Sequence, residues 1–276
     1  MSEHDRALHP REPVLERAES EAWAEIQGNV SEAFGDRFGI RVHRIGGTVA
    51  LVAPLTDMLA LNRVWLPGDA ATLHESVLDE VIVLFRESGA QRFVAHWPSW
   101  ALPMEATEWF MGRGFRTGHP MAKLCRTTSV PVANRSVCEI AEIDITEAEQ
   151  FGAIAALGNE LPPYMASGFT STIGLAGWRH YLAMDDGIPI AAAALRVAGD
   201  IGWCGFAGTL PAHRGRGAQS ALLARRVRDA AAAGCAWVTC ETMADTVERP
   251  SQSFRNMTRL GFEVAYMRAT CVLDLR

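Results

Sequence analysis

Residues Ala207–Gly234 read AGTLPAHRGRGAQSALLARRVRDAAAAG. A short run of small residues ending in Thr209 and Leu210 gives way to Pro-Ala-His, then to Arg214-Gly215-Arg216-Gly217-Ala218, then to an Ala/Leu/Arg-rich segment of helical character. A glycine-rich turn feeding a helix leaves the first backbone N–H groups of that helix without intrahelical partners and aimed outward. Glycine permits the backbone conformations such a turn demands and lets a ligand approach closely. With two arginines in it, the turn reads as a cradle for phosphate or diphosphate. An arginine-rich surface turn is the plain alternative.

After the helix come a strand-like run, Ala236–Glu241, and then Asn256-Met257-Thr258-Arg259-Leu260-Gly261-Phe262. In this order the segment resembles the acyl-CoA diphosphate loop, last helix and closing Gly-Phe of the GNAT superfamily, the GCN5-related N-acetyltransferases. The family's loop runs Arg or Gln, two residues, Gly, one residue, then Gly or Ala. Those positions fall on Arg214, Gly217 and Gln219, and Gln219 departs from the pattern. Its backbone N–H remains, but its side chain has to turn away from the phosphates. The resemblance implies acetyl-CoA as cosubstrate, held by Arg214, Gly215, Arg216, Gly217, Ala218 and Gln219. It also implies that Thr209 and Leu210, with Gly208 beside them, hold the pantetheine arm and polarise the carbonyl.

Acyl transfer to an amine needs a route for the amine proton and an N–H donor for the tetrahedral oxyanion. The family's usual acid is a tyrosine four residues before the Gly of Gly-Phe; here that position is Met257, which cannot donate a proton. Tyr164, Ser253 and Tyr266 are the replacements considered, and otherwise the thiolate leaves unassisted. Glu241, ending the strand after the loop helix, is either the base or a solvated strand end. Glu160 and Tyr164 lie where the family places its acceptor loop, so Glu160 is expected to hold an ammonium and Tyr164 to cap the acceptor, unless this is an ordinary proline-containing loop. Asp200 reads as an exposed turn residue. His213 is either a phosphate contact or a surface histidine. Arg225, Arg226 and Arg228 read as a solvated helix face, from which one arginine could reach the 3′-phosphate of CoA. Trp97 and Trp100 read as core or interdomain packing, or as a substrate wall.

Composition bounds the rest. The 276 residues, 49% hydrophobic and 21% charged, suit two domains with sizeable cores. A net charge of −6 argues against general nucleic-acid binding. The six cysteines, at 125, 138, 204, 235, 240 and 271, have neither metal-ligand nor disulfide spacing and read as buried thiols of a reducing compartment. None sits in a nucleophile setting, and no metal is expected. The polar N-terminus has no apolar run after it, and no stretch is apolar enough to span a membrane. A cytoplasmic protein, monomer or homodimer, is expected.

The first half repeats the order of the second. Gly114-Phe115 matches Gly261-Phe262, Gly89 matches Gly234, and Leu66-Pro67 matches Leu210-Pro211, at offsets of 147, 145 and 144. A nearly fixed offset is the mark of duplication. Where the second copy has His213–Ala218 the first has Asp69-Ala70-Ala71-Thr72-Leu73-His74, without the arginines and glycines. Other expected elements are a helix over Pro13–Phe34, a Gly46-Gly47 hairpin, a helix over Thr72–Ser88 ended by Gly89, and a meander from Trp178 to Leu210. The expectation is therefore α+β: two tandem GNAT-like domains, each a mostly antiparallel mixed sheet flanked by helices. Residues 1–130 form a degenerate domain without a phosphate loop, and residues 137–276 form the acetyl-CoA-binding domain. Expected activity is direct acetyl transfer to a primary amine of a small molecule or peptide. The alternative is a CoA-binding sensor or pseudoenzyme without turnover.

Overall fold

A computed structural model of the chain describes residues 12–66, 74–98, 106–132 and 138–275. The chain divides into two compact units. One comprises Met1–Gly28, Glu32–Ala122 and Ala265–Arg276, the other Asn29–Ser31 and Lys123–Val264. This division departs from the expected segments 1–130 and 137–276, because residues from Lys123 onward fall in the second unit and residues from Ala265 onward fall in the first.

The first unit begins with helices α1 (Glu12–Gly28) and α2 (Glu32–Phe38). Where one helix was expected over Pro13–Phe34 there are two. Gly28 and Asn29, poor helix formers, end the first, and Gly35 lies inside the second. Strands β1 (Arg41–Ile45) and β2 (Thr48–Val52) form the expected antiparallel hairpin, with Gly46 and Gly47 both at positive φ as a tight two-residue turn requires. Strand β3 (Arg63–Trp65) continues through α3 (Glu75–Ser88) into β4 (Arg92–Pro98), its parallel neighbour. Then come α4 (Ala106–Gly112) and the short β5 (Arg116–Thr117). The sheet order is β1-β2-β3-β4-β12, where β12 (Glu263–Asp274) runs antiparallel to β4 and also carries β5. The apolar stripe of α3, including Leu78, Val81 and Phe85, packs on this sheet. Phe85 stacks on Phe93 at 4.1 Å and Trp97 on Phe110 at 4.0 Å. Trp97 is therefore a core residue of the first unit; Trp100 and the Asp69–Leu73 segment lie outside the described residues.

The second unit takes β6 (Met121–Thr127) from Lys123 onward, then β7 (Glu139–Ile143), α5 (Ala148–Gly158) and the one-turn α6 (Ala166–Phe169). The meander β8 (Trp178–Asp185), β9 (Ile188–Ala198) and β10 (Ile201–Thr209) is antiparallel throughout. From β10 the chain passes through α7 (Ala218–Ala232) to β11 (Trp237–Met243), parallel to β10, and ends with α8 (Gln252–Arg259). The order is β6-β11-β10-β9-β8-β7.

The repeat survives at the level of individual hydrogen bonds. Gly89 and Gly234 sit at φ 84° and 86° after α3 and α7, and the next amides, Ala90 and Cys235, donate to Phe85 and Ala230. Gly114 and Gly261 sit at φ 83° and 78° after α4 and α8, where Phe115 donates to Phe110 and Phe262 to Met257. Both pairs are the left-handed helix terminator that glycine favours. Each unit is thus an α+β mixed sheet built on the same meander-and-crossover plan. All six cysteines are buried, and none is in a disulfide. Among the described residues no helix is long and apolar enough to cross a membrane, and no group of three metal-ligating side chains converges.

Candidate functional site

Strands β10 and β11 pair only from Ile201↔Trp237 to Trp203↔Thr239, and beyond that point they part. On its other side β10 bulges: Gly205 faces Ala194, but Gly208 already faces Ala192. The bulge holds Phe206 at φ 55°, a left-handed conformation that is unfavourable for a bulky side chain. Aromatic packing offsets the strain, with Phe169 edge-on at 5.0 Å and Trp178 and Trp203 further out. Below the bulge lies Arg226, 1% exposed, whose guanidinium donates to the carbonyls of Leu222 (3.2 Å), Ala194 (3.1 Å) and Gly205 (3.3 Å). The expected solvated arginine face is thus corrected in part. Arg226 is buried, and Arg225 donates to Asp229 at 2.7 Å and to the Ile140 carbonyl at 3.1 Å; only Arg228 is exposed. The guanidinium is accommodated in the core because these three carbonyls accept its N–H groups.

The gap between the parted strands opens into a cavity of about 890 Å³, toward the upper end of ligand-pocket sizes. Its walls are Ala207–Thr209 from β10, Thr242 and Met243 from β11, the first turn of α7 and one side of α8. Gly215 and Gly217 line it at φ 82° and 84°. Space for a Cβ on Gly215 is open, so backbone conformation is what calls for glycine there. Ala221 N–H donates to Gly217 O at 3.0 Å, which leaves the amides of Ala218, Gln219 and Ser220 ahead of the helical ladder. Ala218, Gln219 and Ser220 all line the cavity. His213 lines it as well, with a buried Nδ1 that has no hydrogen-bond partner. None of the described lining residues is acidic, in a chain whose net charge is −6. The donor set fits an anion carried on a long ligand.

The predicted site residues divide. Thr209, Arg214, Gly215, Gly217, Ala218, Gln219 and Ser253 come together around this cavity. Arg214 also reaches the α5 end, bonding Glu160 at 2.8 Å and the Gly158 carbonyl at 3.1 Å. Glu160, expected to hold an acceptor ammonium, is therefore paired with the cradle arginine. Arg216 does not line the cavity; its guanidinium bonds Asp185 at 2.6 Å. Leu210 is not in the wall either, and its N–H donates to Ile190 O at 2.9 Å. Tyr164 is exposed on a 3-10 turn outside the lining, and Asp200 lies in its exposed turn. Cys240 meets Met257 and Thr242 meets Ser251 on the α8 side of β11, so Glu241 between them points to the opposite face. Tyr266 is corrected outright: it belongs to the first unit, where its hydroxyl donates to Glu16. Met257 is 5% exposed with its sulfur 3.4 Å from that of Cys240, and burial pushes the Cys240 thiol well above its ordinary range.

The side chain of Gln219 is wired into α8. Gln252 donates to Asn256 (2.9 Å), Asn256 to Gln219 (2.6 Å), and Gln219 to Ser253 (3.0 Å). Sequence reasoning missed Asn256, Ser220 and Arg259 as wall residues, although Asn256 and Arg259 fall on one face of α8 with Ser253 at helical spacing.

No family model matches the sequence, and no curated protein matches it. Solved structures do. A GCN5-related N-acetyltransferase from Kribbella flavida is similar over 84% of this chain and 89% of its own, with TM-score 0.63 and 21% identity. One from Sphaerobacter thermophilus is similar over 94% and 93%, with TM-score 0.62 and 17% identity. The fold is that of the GCN5-related N-acetyltransferases. A tandem GNAT protein from the clavulanic acid biosynthesis pathway also matches, over 93% of this chain and 95% of its own, with TM-score 0.56 and 14% identity. Such identities speak for the fold alone.

Proposed function

We propose that the chain is an acetyl-CoA-dependent N-acetyltransferase of tandem GNAT type, working through its second unit. The observation that carries this reading is the acid-free cavity joining the parted ends of β10 and β11 to the glycine turn of α7. The amides of Ala218, Gln219 and Ser220, with Arg214, are suited to a diphosphate. The bulged Ala207–Thr209 backbone is suited to an extended arm, and its N–H groups to a developing oxyanion. When bound, acetyl-CoA supplies the activated acyl group. The chain's own part is to hold that group, orient the amine and accept its proton, for which Glu241 or an ordered water is proposed. The acceptor is a small-molecule or peptide amine; no metal is assigned a role. In the first unit the sequence segment Asp69–His74, which stands where the second has His213–Ala218, carries neither arginine nor glycine. That composition supports a first unit without a working acyl-CoA site.

Calorimetric titration with acetyl-CoA tests the reading. One site per chain is expected, and Ser220→Glu abolishes it: glutamate suits the first turn of a helix but places a carboxylate in the cradle. Absence of binding to the native chain overturns the reading, and two sites overturn the proposal that the first unit has no working acyl-CoA site. A second reading, a CoA-binding sensor without turnover, is favoured by the buried Met257 at the position of the family's usual acid. Binding without acetylation across a broad amine panel would select it.

A further inference from the structure

Arg259 is the cation that the diphosphate cradle does not use. It is exposed, it lines the cavity from the last turn of α8, and no acidic group among the described residues lies within 4 Å of its guanidinium. Arg214 and Arg259 are the arginines among the described lining residues. Of the arginines close by, all but the exposed Arg228 and Arg249, which do not line the cavity, are committed. Arg214 is held by Glu160, Arg216 by Asp185, and Arg255 by Asp245 at 2.9 Å. Arg225 and Arg226 are bonded to Asp229 and to core carbonyls. A free guanidinium facing an acid-free cavity has no structural partner to explain it, whereas an anionic partner would satisfy its planar fork of donors.

The location says which anion. Arg259 and Asn256 stand on the α8 wall, across from Gln219, Ser220 and Leu222 on α7, so this part of the cavity is a groove between two helices. On the reading above, the α7 amides serve one anionic centre, the diphosphate. A second cationic point on the opposite wall suits a second, separate phosphate carried by the same ligand.

We propose that Arg259 recognises a phosphomonoester on the nucleotide end of the cosubstrate, the 3′-phosphate that distinguishes CoA from 3′-dephospho-CoA. The inference rests on the acetyl-CoA reading above and assigns to Arg259 the role considered from sequence for the α7 arginines. Arg259 is a specificity residue. It takes no part in the acyl transfer, so a cosubstrate lacking the phosphate binds more weakly but reacts at the same rate once bound.

The test compares the affinities of CoA and 3′-dephospho-CoA for the native chain, Arg259→Gln and Arg259→Lys at low and moderate salt. The native chain is expected to prefer CoA about tenfold, which corresponds to about 1.4 kcal/mol, a reasonable size for one charge-assisted contact at an exposed site. Arg259→Gln loses the preference while binding 3′-dephospho-CoA as the native chain does. Arg259→Lys keeps part of it, and added salt narrows it. Because the side chain is exposed, neither substitution threatens the fold. Equal affinity of the native chain for both ligands, or a preference that survives in Arg259→Gln, overturns the assignment and leaves the acetyl-CoA reading standing. If neither ligand binds the native chain, the acetyl-CoA reading falls and the assignment with it.

Discussion

Two buried side chains of the second unit carry more than their sequence setting suggests. Arg226 is the donor for two strand carbonyls beside the bulge, so Arg226→Met is expected to destabilise the protein by about 2–4 kcal/mol in urea unfolding, through orphaned buried acceptors. Arg226→Lys restores only part, since an ammonium cannot span the same fork of carbonyls. His180 is 2% exposed, against Phe151 at 5.0 Å, with Nε2 3.1 Å from the Thr172 hydroxyl. Burial pushes its pKa down to about 4. The unfolded chain therefore binds this proton first as pH falls, and stability drops through the window from about 6.5 to about 4, by about 3 kcal/mol at most. In His180→Asn that component disappears, so native and variant unfolding free energies should converge as pH is lowered from 7 to 4.5. Parallel pH profiles would refute the assignment. His96, also depressed by burial in the first unit, contributes the same sign to both proteins.

Between elements, the site depends on how closely α5 meets β10. A Cβ on Gly158 would lie 2.6 Å from the Gly208 carbonyl carbon and 2.7 Å from Thr209 N, both backbone atoms. Gly158→Ala must push the helix end off the strand that forms the cavity wall. It is expected to cost about 1–3 kcal/mol and to weaken acetyl-CoA binding. Gly28→Ala, with nothing within 4 Å of its added carbon, serves as the control and changes neither. The α7 start was legible in the sequence because glycines before an Ala/Leu-rich run have one economical conformation. The approach of Gly158 to β10 was not, since nothing in Leu157-Gly158-Asn159 names the strand it will meet.

At the scale of the whole molecule, the last strand of the chain serves the first unit. Strand β12 pairs with β4 from Arg268↔Pro98 to Asp274↔Arg92. Arg268, 0% exposed, bonds Glu16 and Glu19 of α1 at 2.7 Å each. Arg268→Ala leaves buried carboxylates without their counter-ion and is expected to destabilise by about 3–5 kcal/mol. Hydrogen exchange should show the loss in α1 and β4, more than 160 residues earlier in the chain. Faster exchange confined to the second unit would contradict the strand assignment.

The sequence by itself determined the glycine turn before α7, the helices and hairpin around it, the repeat and the GNAT-like plan, because these rest on local rules: glycine conformation, helix periodicity and turn length. Tertiary structure alone decided which half each closing strand completes, that Arg226 is buried, that Glu160 and Asp185 hold the two loop arginines, and that Tyr266 lies in the other unit. Those outcomes depend on pairings between residues far apart in sequence. Whether a charge meets solvent, a carbonyl or an opposite charge is settled only when the backbone brings the partners within reach.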